Sequence, residues 1–197
     1  DVTICNTINN FDLFGQLSGN DTGGSWTKTG GTGSGEDNTN IGTGEIDFTS
    51  AVAGTYEYTY TVSATANCPQ DDAVVTITVE EAPDAGTATP ATVCTTETAF
   101  DLFVQLSGND TGGDWTLTGG TGTGSAFVGA STAGTVDFSG VTTAGTFEYT
   151  YTIAATATCP QDDVVVIITA EVAPTAGTPN DVTICNTINN FDLFGQL

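Results

Sequence analysis

The octapeptide Thr55-Tyr-Glu-Tyr-Thr-Tyr-Thr-Val62 alternates large apolar or aromatic side chains with polar ones. Successive side chains of an extended strand point to opposite faces, so the three tyrosines and Val62 share one face. This period of two predicts a strand that is buried on one side. The apolar run at residues 73–79 is predicted to pair back on it as a hairpin. A second copy of the hairpin follows at residues 146–170, and its more apolar run, Val164–Ala170, predicts burial on both faces.

The hairpin belongs to a repeat of about 90 residues. Residues 11–26 recur at 100–115, an offset of 89 (100 − 11). Residues 68–72 recur at 159–163, an offset of 91 (159 − 68), which predicts that two residues are inserted between Gly44 and Gly54. Internal repetition on this scale indicates an array of similar units.

A third, partial copy shows how the array alternates. Residues 1–17 match residues 181–197 completely, but match residues 90–106 at only nine positions. We therefore expect an alternating array that continues beyond this chain. The predicted division is a first repeat at 1–82, a linker and first-strand region at 83–93, a second repeat at 94–173, and a linker with the start of a third repeat at 174–197. Pro83 and Pro174 stiffen the linkers.

Composition narrows the class of protein. The 197 residues carry 24 acidic side chains, Lys28 as the single basic one, and no His, for a net charge of −23. Such a surface repels nucleic acid and anionic membranes, and no apolar run approaches the roughly 20 residues of a membrane span. The abundance of Gly, Thr, Val and aromatic residues is typical of strands and turns.

About seven short strands per repeat, with an early Trp and a late Tyr-rich strand, predict an all-β fold. The specific expectation is a series of tandem immunoglobulin-like β-sandwiches in an extended rod. A jelly roll would require more chain. Each unit would add roughly 30–35 Å if strands of about ten residues lay along the rod.

Five cysteines stand at repeat-equivalent places and favour an oxidising, extracellular setting. The predicted disulfides are Cys5–Cys68 and Cys94–Cys159, with Cys185 paired to a residue outside the chain. Closing the loop from Cys5 to Cys68 would contribute roughly 4 kcal/mol in the chain-entropy model. A zinc site is the competing interpretation, but there is no His and no Cys-x-x-Cys spacing.

No catalytic arrangement is apparent, and the chain is predicted not to be an enzyme. Asp21-Thr-Gly23 and Asp110-Thr-Gly112 resemble the signature of aspartic proteases, which need two carboxylates sharing a proton. The two triplets lie in separate repeats within turn-forming sequence. The Gly-rich stretch at residues 30–35 fits no phosphate-binding motif, and Ser/His and Cys/His dyads need a His that the chain lacks.

Calcium is the one metal ion for which the sequence offers candidate ligands, and no other cofactor is predicted. Weak Ca²⁺ candidates are the loop carboxylates Asp71, Asp72, Asp162 and Asp163, together with the acidic stretch at residues 36–40. Carboxylate and carbonyl oxygens in loops are ligands that Ca²⁺ prefers. The alternative is an acidic, solvated surface that keeps the protein soluble.

The motif order Cys, Phe-Asp-Leu-Phe, Gly-Gly-x-Trp-Thr, Ala-Gly-Thr-Tyr-x-Tyr-Thr-Tyr-Thr-Val, Cys-Pro and Val-Thr-Ile-Thr-Val resembles the Ig-like repeats of giant Bacteroidetes surface adhesins. Among these it is most similar to gliding-motility adhesins of the SprB type. The resemblance implies type IX secretion, attachment to the outer membrane, a filament at the cell surface, and partners in the motility and secretion machinery.

Two functional hypotheses follow. The first is a structural stalk whose partners within this segment are neighbouring repeats of the same chain, while other parts of the protein grip external surfaces or polysaccharides. The second is a carbohydrate- or surface-binding module in which Trp26 and Trp115 form an aromatic platform, although their equivalent positions in the repeats indicate burial.

Overall fold

The structure is a computed structural model that describes residues 1–194. Its regular elements are β-strands and short 3-10 helices, and no α-helix occurs within residues 1–194. That range accordingly holds no helix that could cross a membrane. The predicted all-β class is confirmed, and the strands build two β-sandwich units with separate cores.

The first unit contains six strands. They are β1 (Val2–Cys5), β2 (Phe11–Asp12), β3 (Ser25–Gly31), β4 (Glu45–Ile46), β5 (Gly54–Val62) and β6 (Asp71–Glu80). One sheet has the order β1-β6-β5-β3, and the other pairs β2 with β4. The core lies between the two sheets because the inward face of β5 packs against Phe11, Leu13 and Phe48.

The second unit repeats this plan with additional short pairings. Its strands are β7 (Thr87–Ala88), β8 (Ala91–Cys94), β9 (Phe100–Asp101), β10 (Leu106–Ser107), β11 (Asp114–Gly120), β12 (Ala126–Phe127), β13 (Thr135–Asp137), β14 (Gly145–Ile153) and β15 (Asp162–Glu171). The large sheet has the order β11-β14-β15-β8. A three-stranded sheet, β12-β13-β9, and the pair β10-β7 complete the unit.

The tyrosine-rich hairpin forms as predicted. Tyr56, Tyr58 and Tyr60 are buried, and β5 pairs antiparallel with β6 along its whole length. The prediction that Val164–Ala170 is buried on both faces is wrong. Val165 and Ile167 are 46% and 45% exposed, because β15 has a core on one side only.

The first strand of each unit pairs in parallel with the last one. In the first unit Cys5 lies opposite Glu80, and in the second unit Cys94 lies opposite Glu171. A parallel pair places the carboxyl ends of both strands at the same end of the sheet. Each of these cysteines therefore sits where the chain leaves its unit.

The two inserted residues of the second repeat do not both follow Gly44. Gly44 and Gly134 end equivalent 3-10 helices, in left-handed conformation, at an offset of 90 (134 − 44). One insertion therefore lies before Gly44. The other lies between Ala51 and Gly54, since Ala51 and Val141 still show the offset of 90 in equivalent turns.

The third copy is present only as a short segment. Residues 181–185 form no strand and are exposed, although their sequence is that of β1 and the residue before it. The turn that follows is kept, because the Ile188 N–H donates to the Cys185 carbonyl as Ile8 does to Cys5. Residues 195–197 of the predicted third repeat lie outside the described residues.

Candidate functional site: the junction between the two units

A disulfide joins the two units. It links Cys5, at the end of β1, to Cys159, in the β14–β15 loop of the other unit, with a Cα–Cα distance of 5.0 Å. The predicted pairs Cys5–Cys68 and Cys94–Cys159 are therefore wrong in this structure. Cys68, Cys94 and Cys185 are free and exposed.

The parallel pairing of β1 with β6 explains the error. Cys5 lies beside Glu80, the last residue of β6, whereas Cys68 precedes Asp71, the first residue of that strand. Ten residues at about 3.3 Å each separate those two ends by roughly 30 Å. A disulfide needs Cα atoms within about 7 Å. Cys94 and Cys159 are likewise at opposite ends of β15, because Cys94 lies beside Glu171 and Cys159 precedes Asp162.

Hydrogen bonds around the disulfide connect the end of the first unit to the loop of the second. The Glu80 carboxylate accepts bonds from the hydroxyls of Thr156 (3.2 Å) and Thr158 (2.5 Å). The Asn6 side chain accepts from the Ala82 N–H at 2.9 Å and holds the departing chain against its own unit. The contacts on both sides of the sulfur atoms are therefore polar and directional.

The segment Pro83–Thr87 docks on the second unit. Asp84 and Asp110 exchange two bonds: the Asp84 N–H donates to the Asp110 carboxylate (3.0 Å), and the Asp110 N–H donates to the Asp84 carbonyl (2.7 Å). The Ala85 N–H donates to Asp162 Oδ2 at 2.8 Å, and Ala85 is 0% exposed. The segment then continues as β7. It is thus a packed part of the second unit.

Three of the four carboxylates named as calcium candidates accept hydrogen bonds from within the protein. Asp162 accepts from Ala85, Asp72 accepts from Thr61 and Gln70, and Asp163 accepts from Gln161. Residues 1–194 contain no group of three or more acidic or Cys side chains arranged to hold a metal ion. The structure therefore does not bring Asp71, Asp72, Asp162 and Asp163 together into a site.

The aspartic-protease-like triplets lie in turns. The Asp21 carbonyl accepts a bond from the Tyr60 hydroxyl, and the Asp110 carbonyl accepts the equivalent bond from Tyr151, each at 2.9 Å. The Asp110 carboxylate is engaged by Asp84, as described above. Both triplets thus help to build the turns of their own units.

The two tryptophans form no exposed platform. Trp26 and Trp115 are buried, as the sequence indicated. Each packs edge-on against a Phe of the neighbouring 3-10 helix, Phe14 or Phe103, and tilted against the last Tyr of the buried strand. The surface proposed for a sugar ring is therefore part of the core.

A polar cluster on the flank of the first unit was missed by the sequence analysis. Lys28 forms an ion pair with Glu36 and lies 5.1 Å above the centre of the Tyr56 ring. Asn38 donates to Glu36 (2.9 Å) and accepts from the Tyr58 hydroxyl (2.9 Å). The Glu36 side chain is only 3% exposed. Lys28, the single basic residue of the chain, was the signal in the sequence for an ion pair, but the sequence did not show which of the 24 acidic residues was its partner.

Burial and hydrogen bonding act in opposite directions on Glu36. Burial alone raises its pKa, but the hydrogen bonds from Lys28 and Asn38, with the charge of Lys28, leave the pKa below its ordinary value. For Tyr58, burial dominates and raises the pKa well above that of a free tyrosine, with a further contribution from the Glu36 charge. The cluster therefore holds Glu36 ionised and Tyr58 neutral at physiological pH.

Comparison with family models gives no match to the chain, and comparison with curated sequences gives none either. Among solved structures, a four-repeat fragment of Drosophila N-cadherin (EC1-4) is similar at a TM-score of 0.45 and 10% identity. The match covers 86% of this chain and 48% of the cadherin chain. The chain thus spans about half the length of that fragment.

Proposed function

We propose that the chain is an inextensible structural segment, two Ig-like units of the stalk of an extracellular adhesin, and that it has no enzymatic role. Neighbouring repeats of the same chain are its partners at each junction. The supporting observation is the disulfide that crosses from the first unit to the second.

The disulfide limits how far the chain can extend under tension. Cys5 and Cys159 are 154 residues apart in sequence. At about 3.5 Å per extended residue, the bond removes roughly 540 Å from the length that a pulled chain can release. Tension that enters at residue 1 passes through the bond and bypasses the core of the first unit. A stalk between two surfaces needs this constancy of length.

The parallel pairing of terminal strands supports the same role. When the Cys5–Cys159 bond is reduced, tension applied to the start of β1 and to the end of β6 pulls two adjacent parallel strands past each other. All the hydrogen bonds of the ladder are then loaded together rather than one after another. β8 and β15 repeat this geometry in the second unit.

The finer assignment rests on the sequence resemblance described above. On that basis we propose that the stalk is attached to the outer membrane, as part of a filament exported by type IX secretion and used in gliding motility. The disulfide is consistent with an oxidising, extracellular location. Antibodies raised against the chain are expected to label intact cells that make the full protein, and labelling only after permeabilisation would contradict this location.

Single-molecule force measurement tests the mechanical role. With the chain held at residues 1 and 197, the oxidised protein is expected to extend about 540 Å less than the Cys159→Ser variant when fully unfolded. The matched control is Cys68→Ser, which changes the equivalent loop of the first unit and is expected to extend like the parent protein. Equal extension of the parent and Cys159→Ser chains would refute the proposal.

A further inference from the structure

The first unit carries an open groove of about 460 Å³ at the end where Cys68 lies. The groove is lined by Leu17, by the turn residues Ser18–Asp21, by Tyr60 and by Asp71. Its counterpart in the second unit is lined by Leu106, Ser107, Asp110 and Asp162, and the segment Asp84–Ala88 fills it. The two grooves therefore differ in occupancy more than in the residues that form them.

The receiving groups of the occupied groove have counterparts in the open one. Asp162, which accepts from the Ala85 N–H, corresponds to Asp71 (162 − 91), and Asp110, which binds Asp84, corresponds to Asp21 (110 − 89). Ser107, which pairs with Thr87, corresponds to Ser18. The Cys68 loop also keeps the turn of the Cys159 loop, with the cysteine carbonyl accepting from Thr65 or Thr156.

The chain also carries a segment of the kind that fills such a groove. Pro174-Thr-Ala-Gly-Thr178 repeats Pro83-Asp-Ala-Gly-Thr87 with one substitution. It is exposed, whereas Ala85 of the docked segment is fully buried. The exposed segment already has the docked conformation at its glycine, since Gly177 has φ +84° and Gly86 has φ +81°.

The cysteine that accompanies the exposed segment is Cys94. It lies opposite Glu171 at the end of the second unit, as Cys5 lies opposite Glu80 in the first. The Thr95 hydroxyl accepts from the Ala173 N–H at 3.1 Å, in the place where Asn6 accepts from Ala82. Hydrogen bonds from the Thr96 side chain and backbone lower the pKa of the Cys94 thiol, which increases its thiolate fraction.

We propose that the open groove binds residues 174–178 of a second copy of this chain, and that Cys68 then forms a disulfide with Cys94 of that copy. The pairing reproduces the junction that the structure shows between Cys5 and Cys159. Glu171 of the incoming copy would accept from Thr65 and from the Asn67 amide, as Glu80 accepts from Thr156 and Thr158. Because the two surfaces differ, the contact is head-to-tail and leads to linear assemblies.

The oxidant is a small-molecule disulfide such as glutathione disulfide. The Cys94 thiolate attacks it, forms a mixed disulfide and releases one glutathione thiolate. The Cys68 thiolate of the other copy then attacks the Cys94 sulfur and releases the second. Two protein thiols lose their protons and two electrons, and the glutathione disulfide is reduced to two thiols.

The test mixes ¹⁴N- and ¹⁵N-labelled full chains, both carrying Cys185→Ser, in a glutathione redox buffer. Non-reducing gels and mass spectrometry of the cross-linked peptides follow. We expect a ladder of oligomers joined by Cys68–Cys94 peptides of mixed isotope. Links within one chain, links in statistical proportion with Cys68–Cys68 and Cys94–Cys94, or a lack of linked chains would overturn the proposal.

A variant of the groove separates docking from random oxidation. Asp71→Ala removes the acceptor for the Ala176 N–H and is expected to lower the rate of Cys68–Cys94 formation about tenfold. The control, Asp72→Ala, makes the same change at the next residue, whose side chain binds Thr61 and Gln70, and is expected to leave the rate unchanged. Equal rates for the two variants would contradict docking in the groove.

This inference extends the proposed function but fails separately from it. The same peptide maps report the Cys5–Cys159 bond within each chain. If that bond is present while Cys68–Cys94 is lacking, only this inference fails. If Cys5–Cys159 itself is lacking, the proposed stalk mechanism fails.

Discussion

The two units have the same sandwich fold, but they stabilise one flank differently, with a polar cluster in the first unit and an aromatic contact in the second. In the first unit Lys28, Glu36 and Asn38 form a hydrogen-bonded cluster with Tyr58. In the second unit the equivalent residues are Leu117, Ser125 and Phe127, beside Tyr149. Phe127 packs edge-on against Tyr149, at 5.7 Å between ring centres.

The difference shows which part of the repeat is fixed by the fold and which part is free to vary. The buried tyrosine and the strand that carries it are common to both units. Its hydroxyl finds an acceptor in each case, Asn38 at 2.9 Å or Ser125 at 2.8 Å. A buried ion pair can often be replaced by apolar residues at little cost, whereas removal of one partner is strongly destabilising.

The largest difference between the units lies in their loop cysteines, since Cys159 is bonded and Cys68 is free. Cys159→Ser opens a loop of 154 residues, which the chain-entropy model values at about 5 kcal/mol. Cys68→Ser is expected to change stability by less than about 0.5 kcal/mol. Denaturation by guanidinium under oxidising conditions measures both, and similar losses for the two variants would show that the loops are equivalent.

Within the cluster, Glu36→Ala is expected to destabilise the first unit by about 2 kcal/mol. The change removes a charged acceptor from Lys28 and Asn38, and hydrogen bonds to charged groups contribute about 1.5–3 kcal/mol. Hydrogen exchange of the β5 amides reports the loss, while the β14 amides of the second unit serve as an internal control. Ser125→Ala at the equivalent position is expected to cost less, because no ion pair is broken.

The two buried tyrosines allow a finer test. Tyr58→Phe and Tyr149→Phe each remove one hydroxyl donor, and each is expected to cost about 1 kcal/mol. Tyr58→Phe is expected to be the more costly, because the Asn38 oxygen is fixed by the amide's bond to Glu36, whereas the Ser125 hydroxyl can rotate to another partner. Chemical denaturation curves of both variants test this order, and the reverse order would refute the explanation.

The smallest expected effect is a difference in pH dependence. The pKa of Glu36 is lower in the folded state than its ordinary value of 4.5. Its contribution is therefore fully present above pH 4.5 and is lost as the pH falls through the folded-state pKa. Exposed carboxyls with pKa lowered by hydrogen bonds occur in both units, namely Asp37 in the first and Asp137 and Asp163 in the second.

Glu36→Gln isolates that contribution from the exposed carboxyls. Hydrogen exchange measured between pH 6 and pH 3 is expected to show a loss of protection in β5 to which Glu36 contributes, with β14 as the internal control. Glu36→Gln is expected to reduce the loss in β5 and to leave the loss in β14 unchanged. An unchanged loss in β5 of this variant would assign the acid sensitivity of the first unit to other carboxyls.

The strands that the sequence predicted are those whose pattern is local. Tyr56, Tyr58 and Tyr60 alternate with polar residues, and this period alone predicts a half-buried strand. Trp26 and Trp115 were likewise indicated as core residues by their equivalent places in the repeats. The exposure of Val165 and Ile167 was not predicted, because an apolar run does not state how many sheets will cover it.

The strand that pairs with β1 could not be predicted from the sequence of β1 itself. Residues 2–5 and 182–185 have the same sequence, yet the first segment forms a strand beside β6 and the second forms none. The turn after each cysteine is common to both copies, as is the bond from the Phe14 or Phe194 N–H to the side chain of Asp12 or Asp192. The turn depends on neighbouring residues, whereas the strand depends on a partner more than 70 residues away. The cysteine pairing depends on that partner too, and so was predicted wrongly.

The junction was hidden from the sequence for a related reason. Asp110 and Asp162 bind backbone N–H groups of the segment Asp84–Ala85. Every residue except proline carries such a donor, so the sequence marks no particular partner. From the sequence, loop carboxylates of this kind are equally consistent with solvated charges and with calcium ligands.

The Cys5–Cys159 bond also sets an order of events during biosynthesis. A ribosome that adds about 5–20 residues per second needs roughly 8–30 s to travel from Cys5 to Cys159. Cys68 and Cys94 are added in that interval, so the partner of Cys5 is the last of these cysteines to be made. Folding of the first unit, which holds Cys68 at the far end of β6, is then what keeps Cys5 from pairing prematurely with Cys68 until the second unit arrives.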